Sequence, residues 1–134
     1  MFKKWKECRA WERRVRTVVV DTVEMITYLA EPKGINVFQD AYKTIELGTG
    51  DCEDIAILIN YRLVRKNLIL KSGLLLLGKD KILGEHAVLE VISPQGKKYY
   101  IDNIYGLRKS LKGFEYNNTL GAGWFMKEKE RRYE

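Results

Sequence analysis

Cys52, His86 and Asp102 are the residues whose types and order could support catalysis at a thiol. The chain has two cysteines and one histidine, so any mechanism that needs an imidazole must use His86. A thiol in the first turn of a helix faces unpaired backbone N–H groups and the positive end of the helix dipole, and both favour the reactive thiolate. A histidine could take the thiol proton, and a carboxylate could orient the imidazole ring. Together the three residues predict a Cys-His-Asp triad.

Each of the three residues also has a purely structural interpretation. Free cysteine is among the most buried residue types, a single histidine can be a satisfied core residue, and Asp102 can end a strand at a turn. The acids around the cysteine are Asp51, Glu53 and Asp54. Their charges oppose thiolate formation unless they point away from the sulfur or a cation offsets them.

The periodicity of apolar residues predicts helices in the first half of the chain and strands in the second. Steps of three and four residues predict one or two amphipathic helices over residues ~4–30, ending at Glu31-Pro32-Lys33-Gly34, and a mostly buried helix from Cys52 to Lys66 with Asp51 as its N-cap. A short helix is expected from Asp40 to Leu47. Strands are expected at Leu74–Gly78, Glu85–Ile92 and Lys97–Asn103, followed by a loop-like Leu107–Gly123 and a short closing helix at Trp124–Tyr133. Helices followed by antiparallel strands indicate an α+β fold.

The last two of these strands predict a hairpin that brings His86 and Asp102 together. If Ile92 pairs with Gly96 around a three-residue loop, His86 lies directly opposite Asp102 on one face of the sheet. A two-residue loop would place the two side chains on opposite faces. The predicted triad therefore needs a loop of odd length, with Gly96 in a left-handed conformation.

The residues around Cys52 resemble the nucleophile motif of the bacterial transglutaminase-like cysteine proteinases. The run Gly48-Thr49-Gly50-Asp51-Cys52-Glu53-Asp54-Ile55-Ala56 carries the most specific part of the resemblance, and Glu85-His86-Ala87-Val88-Leu89 and Tyr99-Tyr100-Ile101-Asp102-Asn103 match the histidine and aspartate strands. The resemblance covers roughly residues 39–105. It implies a papain-like transglutaminase core, in which a nucleophile-bearing helix packs on an antiparallel sheet. Cys52 would be the nucleophile, His86 the general base and acid, and Asp102 the orienting carboxylate.

The resemblance carries two further implications for the site. Some family members bind calcium through the acids flanking the nucleophile, and Asp51, Glu53 and Asp54 match those positions; simple capping of the helix is the alternative. The family's Trp-x-Thr-Pro-x-Glu-like stretch reads Tyr42-Lys43-Thr44-Ile45-Glu46 here, without the tryptophan or the proline. The second oxyanion donor, beside the Cys52 backbone N–H, is therefore open, with Gln39 and Tyr42 as candidates.

Length, charge and hydropathy predict the number of domains, the localisation and the partners of the protein. A chain of 134 residues is expected to form one domain, with residues 1–31 as a basic amphipathic helix and 39–105 as the catalytic core. Neither a signal peptide nor an apolar run of membrane-spanning length is evident, so we expect a cytoplasmic protein that does not bind membranes. The formal charge of +6 lies mostly in residues 1–16. This basic helix could bind nucleic acid or an acidic protein, but one solvated helix face is the interpretation we favour.

These observations predict a thiol-dependent hydrolase that cleaves a peptide or amide bond through an acyl-enzyme on Cys52 and needs no cofactor. Acyl transfer to an amine would use the same residues, because water and an amine compete for the same thioester. A non-catalytic binding module that uses the basic helix is the alternative from a different functional class.

Overall fold

The structure is a computed structural model that describes residues 2–30 and 38–125. Its helices are α1 (Phe2–Met25), α2 (Ala41–Leu47) and α3 (Cys52–Arg65). A two-stranded parallel sheet joins β1 (Thr27–Tyr28) to β2 (Thr49–Gly50). The main sheet contains β3 (Leu74–Asp80), β4 (Gly84–Ile92), β5 (Lys98–Asp102), β6 (Gly106–Arg108) and β7 (Phe114–Gly121), and a short 3-10 helix follows at Ala122–Phe125. The order of strands in the main sheet is β6-β5-β4-β3-β7, and every neighbouring pair is antiparallel.

The predicted helices are present, with one change of boundary. Both α2 and α3 confirm the expected segments, and Asp40 and Asp51 cap them through their side chains. Helix α1 ends at Met25, before the expected end at residue 30, because the chain turns there into β1. The Glu31–Gly34 stop signal lies outside the described residues.

The main sheet separates a large core from a small one. Alternate side chains along β4 and β5 pack against α1 and α3, among them Ala87, Leu89, Tyr99 and Ile101. The side chains between them belong to the opposite face, where Leu76, Val88 and Phe114 form a second cluster with Tyr100 and Leu111 packed against it. Helix α3 is buried along most of its length, as its wide apolar stripe predicts. The order of helices followed by antiparallel strands confirms the α+β class.

The loop expected over Leu107–Gly123 is wrong, because this segment forms β6 and β7. Strand β7 lies at the edge of the sheet beside β3, and its residues from Glu115 to Thr119 are exposed. An edge strand with so little burial carries no apolar alternation, so the sequence signal that identifies a strand is missing. The strand forms because its backbone pairs with β3 over seven positions.

The remaining expectations about the ends of the chain are tested only in part. Most of the closing helix predicted at Trp124–Tyr133 lies outside the described residues, and Trp124 and Phe125 belong to the 3-10 helix instead. Within residues 2–30 and 38–125, no helix is both long and apolar enough to cross a membrane.

Candidate active site

A capping box places Cys52 at the start of α3. The Asp51 carboxylate accepts a hydrogen bond from the Asp54 backbone N–H at 3.1 Å, and the Asp54 carboxylate accepts one from the Asp51 N–H at 3.1 Å. Two otherwise unpaired backbone donors are satisfied in this way. The prediction that Asp51 caps the helix is confirmed, and Cys52 is the first helical residue.

The surroundings of the Cys52 sulfur favour the protonated thiol. Burial raises the pKa of Cys52 to about 12, and the charges of Glu53 and Asp51 act in the same direction. Hydrogen bonds from the backbone N–H groups of Ala87 and Glu53 lower this pKa but do not offset those effects. Burial and the neighbouring acids together therefore outweigh the N–H groups at the start of the helix, and in neutral solution the thiol keeps its proton.

His86 and Asp102 lie together in a buried contact. Their Nε2 and Oδ2 atoms are 3.5 Å apart, and neither side chain is appreciably exposed. The other carboxylate oxygen of Asp102 accepts hydrogen bonds from the backbone N–H groups of Ile104 and Tyr105, at 2.8 and 2.6 Å. Burial raises the pKa of Asp102, but His86 and these two N–H groups outweigh burial, and the pKa lies below its ordinary value. An ionised carboxylate is thus held against the imidazole ring.

The hairpin that carries these two residues has a different register from the one expected. Ile92 pairs with Lys98 rather than with Gly96, so the loop contains five residues, 93–97, and not three. The Ser93 N–H donates to the Lys97 carbonyl at 2.8 Å and closes this longer loop. Gly96 is left-handed, at a φ of +84°, as predicted. Because five and three are both odd, His86 and Asp102 still share a face, but they lie diagonally across the two strands and not directly opposite each other.

Cys52 reaches the sheet beside His86. Its sulfur accepts a hydrogen bond from the backbone N–H of Ala87, the residue after His86. The pairing of β4 with β5 begins only at Leu89, which leaves room for α3 to approach β4 at Ala87. The structure thus brings His86 and Asp102 into contact and places Cys52 against the same stretch of β4. Among the described residues no hydrogen bond joins the thiol to the imidazole, so the complete triad stays a prediction.

The two candidate oxyanion donors are engaged elsewhere. The side-chain amide nitrogen of Gln39 lies within 3.2 Å of three acceptors, which are the Thr44 hydroxyl, the Thr49 carbonyl and the Asp54 carboxylate. The Tyr42 ring packs on Tyr61, with ring centroids 5.8 Å apart. Tyr61 lies nine residues along α3 from Cys52, which corresponds to about 13 Å. Gln39 or Tyr42 as the second oxyanion donor therefore stays a prediction.

Two of the acids around Cys52, Asp51 and Asp54, cap its helix. Asp51 and Asp54 bind each other's backbone N–H groups, and Asp54 also accepts the Gln39 N–H at 2.9 Å. Across residues 2–30 and 38–125, no group of three or more acid, cysteine or histidine side chains is placed to hold a metal ion. Calcium binding by Asp51, Glu53 and Asp54 therefore stays a prediction.

Four residues of the site were not expected from the sequence. Arg108 Nη2 lies 3.4 Å from Asp102 Oδ2, and the Phe114 ring meets the His86 ring edge-on with centroids 6.3 Å apart. Asp80 is buried on the neighbouring strand, and its carboxylate accepts a hydrogen bond from the Tyr105 hydroxyl at 3.3 Å. The sequence does contain a signal for Asp80 and Tyr105, because Asp80–Gly84 and Asp102–Gly106 both read Asp-x-Ile-x-Gly.

Comparison with known proteins gives matches among solved structures only. No protein-family model matches the sequence, and no curated protein matches it. Three solved structures of LapG from Legionella pneumophila are similar to the chain, each at 18% sequence identity. The EGTA-treated form has a TM-score of 0.70 over 84% of this chain, and the form described only as LapG has 0.68 over 82%. The calcium-bound form has 0.68 over 79%.

The likeness to LapG concerns the fold. The chain spans 62 to 65% of the length of the LapG chains that it matches. LapG is a bacterial transglutaminase-like cysteine protease, and the likeness of its fold extends over 79 to 84% of the present chain. The chain therefore has the transglutaminase-like fold that the sequence motifs predicted.

Proposed function

We propose that this chain is a thiol-dependent hydrolase that cleaves a peptide or amide bond through an acyl-enzyme on Cys52. The observation that carries the proposal is the buried His86–Asp102 pair, with an Nε2–Oδ2 distance of 3.5 Å, beside a thiol in the first turn of α3. The LapG-like fold supports a cysteine-protease type of chemistry. The substrate we propose is a protein or a peptide.

The raised pKa of Cys52 determines how the thiol would react. Since the thiol is protonated at neutral pH, its proton must move to His86 as the sulfur attacks the substrate carbonyl. Nε2 of His86 faces Asp102, so Nδ1 is the nitrogen available for this proton. His86 then donates the proton to the leaving amine as the C–N bond breaks, which leaves a thioester on Cys52. Water, losing a proton to His86, attacks the thioester; the C–S bond breaks, the acid is released and the proton returns to the thiolate.

Two further steps depend on the neighbours of these groups. Asp102 keeps its negative charge and stabilises the imidazolium that forms during each transfer. The backbone N–H of Cys52, at the start of α3, is one donor for the oxyanion of the tetrahedral intermediate. If an amine attacks the thioester in place of water, the same residues carry out the acyl transfer of a transglutaminase.

A calcium role is tested separately from the thiol chemistry. The charges of Asp51 and Glu53 raise the pKa of Cys52, so a cation bound to them would lower it. The rate of Cys52 labelling, measured in EGTA and then in calcium, decides whether these acids only cap the helix or also bind calcium. An unchanged rate indicates capping alone, and a faster rate in calcium indicates a bound cation.

Labelling of the two cysteines by a thiol-directed acylating reagent, followed by mass spectrometry, tests the proposed function. The raised pKa predicts slow passive reaction of Cys52, whereas general-base assistance predicts that Cys52 is acylated faster than Cys8 at neutral pH. His86→Ala should slow the acylation of Cys52 by at least about a hundredfold, the lower end of the range that general-base catalysis supplies, and leave that of Cys8 unchanged. Asp102→Asn, which keeps the size of the side chain, should slow Cys52 as well. The proposal fails if Cys52 reacts no faster than Cys8 and is indifferent to His86→Ala.

A further inference from the structure

Two turns of the same design lie beside the His86–Asp102 pair. In the turn after β3, the Asp80 carboxylate accepts hydrogen bonds from the backbone N–H groups of Ile82 and Leu83, at 2.8 and 3.0 Å. The turn after β5 repeats this arrangement, since Asp102 accepts from the residues two and three positions later. Both turns end at a left-handed glycine, Gly84 at a φ of +80° and Gly106 at +72°.

Both turns lie at the end of the sheet that contains His86. They connect β3 to β4 and β5 to β6, and the β4–β5 loop lies at the other end. The Tyr105 hydroxyl donates to the Asp80 carboxylate at 3.3 Å, which joins one turn to the other. His86 also lowers the pKa of Asp80, after larger contributions from the turn N–H groups. The two turns therefore flank the imidazole.

The shared design of the two turns presents apolar side chains to solvent. The isoleucine at the third position of each motif is exposed, Ile82 to 85% and Ile104 to 58%. The following residues, Leu83 and Tyr105, are 39% and 38% exposed. Each turn is fixed by a buried carboxylate that binds its backbone, so burial in a core does not account for these side chains. We call Ile82, Leu83, Ile104 and Tyr105 the apolar rim.

Charge around the thiol restricts what can bind at Cys52. Asp51 and Glu53 raise the pKa of Cys52, and they also raise the pKa of Tyr28, for which burial is the largest cause. Glu85 is exposed next to His86. A negatively charged ligand at Cys52 would be repelled by these acids, whereas a neutral or basic one would not.

We propose that the apolar rim binds an extended polypeptide segment with neutral or basic charge and apolar side chains next to the bond that reacts. This inference rests on the proposed function, since it names the substrate class of that same site. The two turns and His86 lie at the same end of the sheet, so in this proposal a chain bound with its carbonyl carbon at Cys52 extends past the turns. Apolar side chains in the substrate would cover Ile82 and Ile104, which removes apolar surface from water.

Two peptide probes of equal length test the proposal, with the same thiol-reactive acyl group flanked by leucine in one and by glutamate in the other. The rate of Cys52 acylation by each is measured by mass spectrometry, beside that of a small acylating reagent without a peptide. We expect the wild-type protein to react with the leucine probe at least about tenfold faster than with the glutamate probe. The double variant Ile82→Ser/Ile104→Ser should lose about tenfold in the rate with the leucine probe and none with the small reagent.

Leu70→Ser is the matched control, because Leu70 is 84% exposed and precedes β3 at the opposite end of that strand. Its rates with all three reagents should equal those of the wild-type protein. If the double variant reacts with the leucine probe at the wild-type rate, the rim does not bind the substrate and the proposal is wrong. If His86→Ala reacts with the small reagent as fast as the wild-type protein does, the proposed function is wrong, and the rim proposal is wrong with it.

Discussion

At the scale of the single residue, the carboxyl of Asp54 is the group whose ionisation is most closely tied to the folding of the site. It is 2% exposed and accepts hydrogen bonds from the backbone N–H groups of Gln39 and Asp51. Burial raises its pKa to about 7, although both N–H groups act to lower it. The same carboxyl completes the capping box that positions Cys52, so its charge state affects the end of the helix that carries the thiol.

Asp54→Asn should remove a pH dependence of stability. The ordinary pKa of the group is 3.8, so between about pH 4 and pH 7 folded Asp54 keeps a proton that the unfolded chain has lost. The free energy of unfolding therefore decreases as pH rises through this window and is unaffected by Asp54 outside it. Urea unfolding at intervals from pH 3.5 to pH 8 measures this, as the difference between wild type and variant.

Asp40→Asn serves as the control for that measurement, because Asp40 caps α2 through the Lys43 N–H at 2.8 Å and undergoes the same chemical change. The difference in the free energy of unfolding between Asp40→Asn and wild type measures the effect of losing a capping carboxylate that is not fully buried. A difference for Asp54→Asn that stays constant over the window would show that burial of Asp54 does not raise its pKa.

At the scale of the element, β3 holds the sheet together between the strand of His86 and the edge strand. Gly78 pairs with His86 on one side and with Tyr116 on the other, and the pairing with β7 is irregular between Leu77 and Gly78. A Cβ atom at position 78 would overlap the carbonyl oxygen of Glu115. The absence of a side chain at Gly78 is therefore what allows β7 to approach β3 at this point.

Gly78→Ala should lower the free energy of unfolding by about 2 kcal/mol, in the range that overpacking costs, because the backbone of β7 must move away. Gly121→Ala should change it by less than about 0.5 kcal/mol, since an added Cβ there meets nothing within 4 Å. Denaturant unfolding of both variants at one pH gives the two values. Equal effects would mean that β7 adapts freely and that the close approach at Gly78 has no energetic role.

At the scale of the whole molecule, the basic N-terminal helix is packed into the domain. The Trp11 indole N–H donates to the Leu68 carbonyl at 2.6 Å, and its ring lies 4.9 Å from that of Tyr99. The Tyr99 hydroxyl in turn donates to Glu12 at 2.7 Å. Helix α1 is thus attached to the loop before β3 and to β5. Trp11 is buried, so it does not offer the stacking surface that nucleic-acid binding through this helix would use; binding of nucleic acid or an acidic protein stays a prediction.

Trp11→Phe should destabilise the domain by about 1–3 kcal/mol, because it leaves the Leu68 carbonyl without its buried donor. Trp5→Phe is the matched substitution on the same helix, at a side chain that is 57% exposed, and should cost less than about 0.5 kcal/mol. Urea unfolding followed by circular dichroism compares the two. If both variants are as stable as wild type, the contacts of α1 do not stabilise the domain. That result would support the hypothesis of a non-catalytic binding module that uses this helix.

The parts of the site that could be predicted from the sequence depend on interactions between near neighbours. The capping box joins Asp51 to Asp54 over three positions. The start of α3, with Cys52 in its first turn, can therefore be predicted from the local sequence. The shared face of His86 and Asp102 follows from a loop of odd length, whichever odd length is used. The class of fold follows in the same way from helical periodicity before residue 66 and strand periodicity after residue 74.

Three features were decided only by the tertiary structure, because they depend on groups that are distant in the sequence. The register of the hairpin is set by the closure of a five-residue loop and by pairing with neighbouring strands. Strand β7 forms because its backbone pairs with that of β3. The polar residues of β7 do not predict this pairing. The pKa of Cys52 is raised mainly by burial, and burial is produced by β4, more than thirty residues further along the chain. Hydrogen bonds over three or four residues are encoded locally, whereas desolvation depends on every segment that excludes water from a site, and for that reason the charge state of the thiol could be determined only from the folded molecule.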